Sequence, residues 1–544
     1  MKSPLPGLAI ALSLCIPPLA QSRPSEPSGA DLELPPALLA LQPQAQSFSA
    51  KTPDGATVEL VDLNPSVGRW ILLRAPDGSG TPRWAHLDLG QEGVSRARLD
   101  RDGNLRVDYP KGKPVVCRLD TPQARAAVVK SYNSPFTALC DGAIFARSRP
   151  SHGYKSDLES VTDWLRSQGP LGEQLITWRK DLFPPSGDTP EETSAPSAPG
   201  SSGGPPAAVL QRSAPSSIAT ANLGLRTGYS SIAPGSWAQV QGAPGVWASI
   251  AAPDMAPNLF SRQGHEASDS LAYFMAIETN LHDPRYSVGV EHPSVGWSSR
   301  APGPHPGSGP DGVGSLDPLD RVGMVPPWAM QQLTAVIAGG FKRDHSAFRE
   351  GPLAGKNHGS HYGFVEAGVV LSKLHPGVAT FLQRAGEAPQ IKVWTEQDEA
   401  RGVDKLLFAR QNGLPLIDEG RPGANLAIGP GGNWSGNAQG AAETVRSSLC
   451  VAESGKRSFL IYGVFTKAIP RDMAQLLSAY GCKSAMQLDM NAPALTYAAV
   501  ATRDERGQVR YQSLMGSMND KNFGGTARFT NIPDSRDFIY FVRH

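Results

Sequence analysis

The chain has 544 residues, 40% of them apolar and 19% charged, enough for more than one domain with its own core. Its 51 Lys and Arg against 50 Asp and Glu leave a formal charge of +1. No overall field directs it to nucleic acid or to an anionic membrane surface, so charge-driven recognition has to be local.

Lys2 precedes an apolar run and then Pro17-Pro18-Leu19-Ala20, the pattern of a secretory signal over residues 1–20 cut near Ala20. Leu12-Ser13-Leu14-Cys15 matches a lipoprotein box less well because Leu14 is not small, so an anchor at Cys15 is the lesser expectation. No later stretch holds the roughly 18 uninterrupted apolar residues of a spanning helix. The mature protein is therefore expected to be secreted or periplasmic, with no transmembrane segment. In an oxidising compartment Cys117, Cys140, Cys450 and Cys482 point to disulfides rather than to metal or thiolate chemistry. Three pairings are open; Cys117 with Cys140 and Cys450 with Cys482 respect the domain division that follows.

Residues 21–45 and 184–216 are dense in Pro, Ser and Gly and offer little to bury, which predicts a disordered segment after the signal and a disordered linker. Between them, residues 46–183 read as a β-rich N-terminal module. Alternating stretches such as ATVELVDL and NLRVDY are separated by Asp-Gly turns at Asp54, Asp77 and Asp102. SDLESVTDWLRSQG then opens with a cap and sets Leu158, Val161, Trp164 and Leu165 at helical spacing.

In residues 217–544 the stretch Leu333 to Ala338 predicts a buried strand, broken by Gly339-Gly340, where the missing Cβ lets the backbone turn or approach a ligand. RSFLIYGVF predicts a strand and Pro470 suits the first turn of a following helix. Met473, Leu476, Leu477 and Tyr480 give that helix one apolar face, and Gly481 stops it. SAMQLDM then returns as a strand. This is a strand, helix, strand crossover that delivers Asp489 to a strand end, where open α/β sheets bind ligands. The elements together predict an α+β, mixed α/β architecture: a mixed β-sheet domain with flanking helices, preceded by the small β-rich module.

Several polar groups could serve a site at that strand end. Gln487 shares a strand face with Asp489, and Asn491, Thr496 and Tyr497 follow it. His358 and His361 lie three apart beside glycines, a spacing that suits proton transfer better than a metal pair in a loop. Lys342 and Arg343 adjoin the Gly-Gly turn, while Arg410, Gln411, Asn412 and Arg446 come from two further segments and could hold an anion.

From about Leu333 to Tyr497 the order of pieces resembles the phosphodiester glycosidase family. The pieces are a strand ending in Gly339-Gly340-Phe341, a Gly-containing loop, RQNGLPLIDEG, the strand led by Arg446, and LLSAYGCKSAMQLD. Two positions depart from the family pattern: Ala338 stands where it has Asn, and Met490-Asn491-Ala492-Pro493 replaces the glycines after Leu-Asp. Pro493 has no N–H to offer an anion. With the signal segment, the resemblance points to an exported hydrolase acting on a sugar phosphodiester or envelope glycan; no cofactor is expected. On this reading Asp489 would be base or nucleophile and Arg446 an anion holder, while His358 or His361 as proton donor and Lys342 as a second anion holder would supply donors that the family pattern lacks. Gly339, Gly340, Phe341, Arg343, Gln411, Asn412, Gln487, Asn491, Thr496 and Tyr497 would contact substrate. The alternative is a non-catalytic glycan-binding or structural envelope protein on the same fold, with Trp237, Trp247, Trp297 and Trp394 stacking on sugars.

Overall fold

The computed structural model describes residues 46–544 except 66–67, 78–79, 92, 94, 111, 132–135, 149–151, 156, 169–170, 173–174, 176–186, 192, 194–202, 212–213, 261–265, 291–321, 341–362, 373, 404, 425, 427–442 and 519–526. These residues belong to a single compact unit. None of the described helices is long and apolar enough to cross a membrane.

The N-terminal half forms a six-stranded sheet and a three-stranded sheet around an apolar core that includes Leu60, Ile71, Leu73, Leu87 and Val107. The Asp-Gly signals are hairpin turns. Thr52 N–H bonds Ala56 O at 2.9 Å around Asp54, Asp77 N–H bonds Thr81 O at 2.8 Å, and Asp100 N–H bonds Asn104 O at 3.0 Å around Asp102. A helix spans Asp157–Ser167, but its apolar positions Val161 and Trp164 are 50% and 61% exposed.

The described C-terminal half is built from an eight-stranded sheet, two five-stranded sheets and a two-stranded one. In the first, Arg457–Ala468 lies beside Thr444–Ser454, which lies beside Ser484–Met490. The helix Pro470–Ala479 links the outer two of these. Its Met473, Leu476 and Leu477 and the adjoining Tyr480 are fully buried against Phe274 and the other apolar residues of that sheet. Asp472 accepts the Ile469 N–H at 3.0 Å and caps the first turn. Gly481, at φ +72°, ends the helix in the left-handed region that a side chain disfavours.

The expected mixed α/β architecture is not what forms. Every pair of neighbouring strands among the described residues is antiparallel, and the chain is mostly β-sheet with few, short helices. The crossover exists, but Thr444–Ser454 runs antiparallel between the two strands it joins. The misleading signal is the strand, helix, strand crossover, which reads as part of an open α/β sheet. All seven residues of Ala272–Glu278 and all six of Leu333–Ala338 are buried, as in a parallel sheet covered by helices. An antiparallel sheet covered on both faces gives the same unbroken run, and the helix Pro470–Ala479 covers one face of Ala272–Glu278 through Phe274.

Disulfides join Cys117 to Cys140 and Cys450 to Cys482, with Cα atoms 5.3 and 5.8 Å apart. Described parts of the Pro/Ser-rich stretch 184–216 bond to the C-terminal half. Asp188 accepts the Tyr273 hydroxyl at 2.8 Å, Pro206 O accepts the Trp237 indole N–H at 2.8 Å, and Val209 N–H donates to Ala479 O at 2.9 Å. The two halves also join directly: Tyr154 N–H donates to Pro533 O at 2.8 Å, and Arg147 donates to Val325 O at 3.2 Å.

Candidate functional site

Asp489 stands near the end of Ser484–Met490 and is 5% exposed. Its Oδ1 accepts the Met490 N–H at 2.8 Å and its Oδ2 accepts from Arg536. Arg536 in turn donates to Glu159 of the N-terminal half at 2.6 and 2.9 Å. Burial pushes the Asp489 carboxyl up from 3.8 to about 6, against the pull of Arg536 and the Met490 N–H and aided by the charges of Glu159 and Asp537. The aspartate is thus a carboxyl whose proton affinity lies near neutrality, at the position the spacing indicated.

Arg446 is fully buried on the neighbouring strand, where its Nε donates to Ala468 O at 2.8 Å and its Nη1 to Gln487 Oε1 at 3.3 Å. Burial pushes its guanidinium down to about 9, and the Asp472 charge opposes that shift. The Asn412 amide donates to Gln487 O at 2.7 Å and Leu488 O at 3.3 Å, which ties its segment to the Asp489 strand. Gln411, the next residue along, points elsewhere. Its Oε1 accepts from Gly363 N–H at 3.0 Å and His375 N–H at 2.9 Å, and its Nε2 donates to His375 O and Thr380. Gln411 ends the strand Leu406–Gln411 and braces a different sheet, while Asn412, just past that strand, reaches the site.

Gly339 and Gly340 lie against the same cluster. A Cβ on Gly339 would sit 2.6 Å from Asp537 Oδ2, and one on Gly340 would sit 3.0 Å from Asn412 Oδ1. Gly340 also has φ +144°. Only glycine permits this backbone to approach so closely. Asn491 takes φ +84° and donates its N–H to Val445 O at 2.7 Å, turning the chain out of the strand. Thr496 is buried with its hydroxyl on Pro493 O at 3.2 Å. Tyr497 is buried edge-on to Phe529, and burial raises its phenol above the ordinary range. Thr496 and Tyr497 thus shape the loop after Asp489. Phe341, Lys342, Arg343, His358 and His361 fall outside the described residues, as does Trp297. Trp237, Trp247 and Trp394 are 2%, 6% and 1% exposed, so they are core residues rather than sugar platforms.

The sequence reading did not single out Asp489's ionic partners. Asp534, Ser535, Arg536 and Asp537, just before the last strand Phe538–Arg543, are all buried. Asp534 binds Arg528 through both oxygens at 2.6 and 3.1 Å, and Asp537 Oδ2 accepts from Arg410 Nε at 2.6 Å and the Tyr286 hydroxyl at 3.1 Å. Asp537 Oδ1 is buried with no hydrogen-bond partner among the described residues. The signal available was charge density: DSRD immediately ahead of FIYFV places four polar residues where a buried strand begins.

No protein-family model matches the chain, and no curated protein matches it in sequence. Among solved structures, it is similar to the catalytic domain of zebrafish N-acetylglucosamine-1-phosphodiester α-N-acetylglucosaminidase, auto-inhibited by its pro-peptide. The identity is 10% over 56% of this chain and 86% of that one, with a TM-score of 0.31. It is also similar to a hypothetical protein from Synechocystis at 11% identity, over 92% of this chain and 99% of the other, with a TM-score of 0.30. Both likenesses are distant, and one of them is to a glycosidase catalytic domain.

Proposed function

We propose that the chain is an exported hydrolase that cleaves a sugar-phosphodiester or glycosidic bond of an envelope glycan, with Asp489 as its acid–base group. What supports this reading is the placement of the Asp489 carboxyl near a strand end, buried and pushed up by that burial, with Gln487 on its own strand, Arg446 on the next and Asn412 bonded to its strand. A group of that kind holds or releases a proton readily at ordinary pH, which is what general acid–base catalysis requires. Arg536 fixes one of its oxygens and the Met490 N–H the other. The buried Arg446, on the neighbouring strand, and Gln487, on the same strand as Asp489, would orient an anionic or hydroxylated group, and Asp537 Oδ1 would accept a sugar hydroxyl. A sugar–phosphate bond has a good leaving group, so positioning and charge neutralisation supply much of the acceleration.

The test is incubation of the purified chain with a panel of sugar 1-phosphodiesters and measurement of released sugar. Asp489→Asn, shown by circular dichroism to fold, is expected to lower kcat by about 10²- to 10⁴-fold. Equal rates for the two proteins would remove Asp489 from the chemistry.

A second reading, a non-catalytic glycan-binding or structural envelope protein, is favoured by the same ion pair. A carboxylate held by Arg536, which is itself held by Glu159 from the other half of the chain, also serves to lock two β-rich halves together. Saturable glycan binding with no product after long incubation would select it.

A further inference from the structure

Glu159 reaches the Asp489 cluster from the helix Asp157–Ser167 of the N-terminal half. The residues ahead of that helix are held against the segment that carries Arg536. Tyr154 N–H donates to Pro533 O at 2.8 Å, and Ser535 N–H donates back to Tyr154 O at 3.2 Å. Gly153 permits this approach, since a Cβ there would collide with Ser535 Oγ. Glu159 Oε1 then accepts from Arg536 Nε at 2.9 Å and from Nη2 at 2.6 Å, while Arg536 Nη1 donates to Asp489 Oδ2. A guanidinium is a rigid plane, so holding its Nε and Nη2 edge fixes where Nη1 points. The side chains of Arg536 and Glu159 are only 6% and 11% exposed, which leaves the contact little screened.

The charges of the cluster do not balance. Among the described residues four carboxyl groups, Asp489, Glu159, Asp534 and Asp537, meet three guanidiniums, Arg536, Arg528 and Arg410. Asp534 takes two donors from Arg528, and Asp537 is paired with Arg410. Asp489 and Glu159 are left to share Arg536. Glu159 takes two of its donors and lies 4.0 Å from Arg528 as well, whereas Asp489 takes one. The other groups facing Asp489 are the neutral Met490 N–H and Tyr462, whose hydroxyl donates to Thr496 O at 3.1 Å. Arg446, on the adjoining strand, is bonded to Ala468 O and Gln487 and feels the charge of Asp472. The surplus negative charge of the buried set therefore falls on Asp489, and such a set is stabilised when one carboxyl keeps a proton.

We propose that Glu159 is a positioning residue for Asp489: it turns Arg536 onto that carboxyl and supplies the surplus charge that holds a proton there. The N-terminal half thereby completes the acid–base site. For the reaction it serves, the proposal rests on the hydrolase reading; for the proton, it rests on the contacts above.

The experiment compares the full chain with Glu159→Gln and Glu159→Asp by two readouts. One is the pH dependence of kcat/KM for a sugar 1-phosphodiester. The other needs no turnover: a carbon-13 NMR titration of carboxyl-labelled aspartate, with the Asp489 signal identified by its loss in Asp489→Asn. Both the kinetic bend and the titration are expected to move to lower pH by about one pH unit in Glu159→Gln, and by a smaller step in Glu159→Asp, which keeps the charge. If Glu159→Gln does not fold, Glu159→Asp carries the comparison. A role confined to joining the halves would lower the unfolding midpoint and leave the titration in place. The proposal is overturned if the Asp489 signal of the folded variant stays in place or moves to higher pH. A signal that moves as expected in a chain that releases no sugar upholds the assignment of Glu159 and removes the hydrolase reading.

Discussion

Replacing Asp489 with asparagine removes a group whose proton affinity differs between the folded and unfolded chain, and that difference sets the size of the pH effect. Burial raises the folded carboxyl from 3.8 to about 6, and unfolding returns it to the ordinary value. The folded state therefore binds the proton more tightly. Its contribution to stability is fully present below about pH 4 and is lost as pH rises through about 6. A difference of about two units, at ~1.4 kcal/mol each, amounts to about 2 to 3 kcal/mol. The assay is urea unfolding of the parent and of Asp489→Asn at about pH 4 and about pH 7, with the difference between the proteins taken at each pH so that other titrating groups cancel. On acidification the parent is expected to gain about 2 to 3 kcal/mol relative to the variant. A constant difference would refute the reasoning. So would a parent that loses ground in acid, as happens when an ion pair outweighs burial and depresses the carboxyl.

Three further perturbations test the surrounding structure. Arg410 and Asp537 are both fully buried; Arg410→Ala is expected to cost about 3 to 5 kcal/mol in urea unfolding, and Arg410→Met with Asp537→Leu to recover most of it. Gly340→Ala would force a Cβ to 3.0 Å from Asn412 Oδ1 at φ +144°; a loss of about 1 to 3 kcal/mol is expected by the same assay, and an unchanged midpoint would show that Asn412 yields. Removing the Cys450–Cys482 link, which closes a separation of 32 residues, is expected to cost about 3 to 4 kcal/mol in thermal or urea unfolding, and an unchanged midpoint would contradict it.

The local elements around the site were legible because each has a repeat of its own. Met473, Leu476, Leu477 and Tyr480 mark one helix face, Gly481 marks its end, and the apolar run before Gly339 marks a strand. All four helix-face residues are buried. The layering of the sheets was not legible, since a strand covered on both faces reads alike in parallel and antiparallel surroundings. The ionic partners of Asp489 were not legible either. Arg536 lies 47 residues further on and Glu159 sits in the other half, and an ion pair between distant segments leaves no periodic trace. Asn412 and Gln411 looked equivalent in the sequence, and only the end of the strand Leu406–Gln411 between them sends their side chains to different partners.

The central claim is that Asp489 exchanges a proton during bond cleavage, and the pH dependence of kcat/KM for a hydrolysed sugar phosphodiester tests it most directly. The profile is expected to bend near about pH 6 in the parent, where the free protein's carboxyl titrates, and to lose that bend in Asp489→Asn. A profile with no bend in that region, or one with the same bend and the same rates in both proteins, would contradict it.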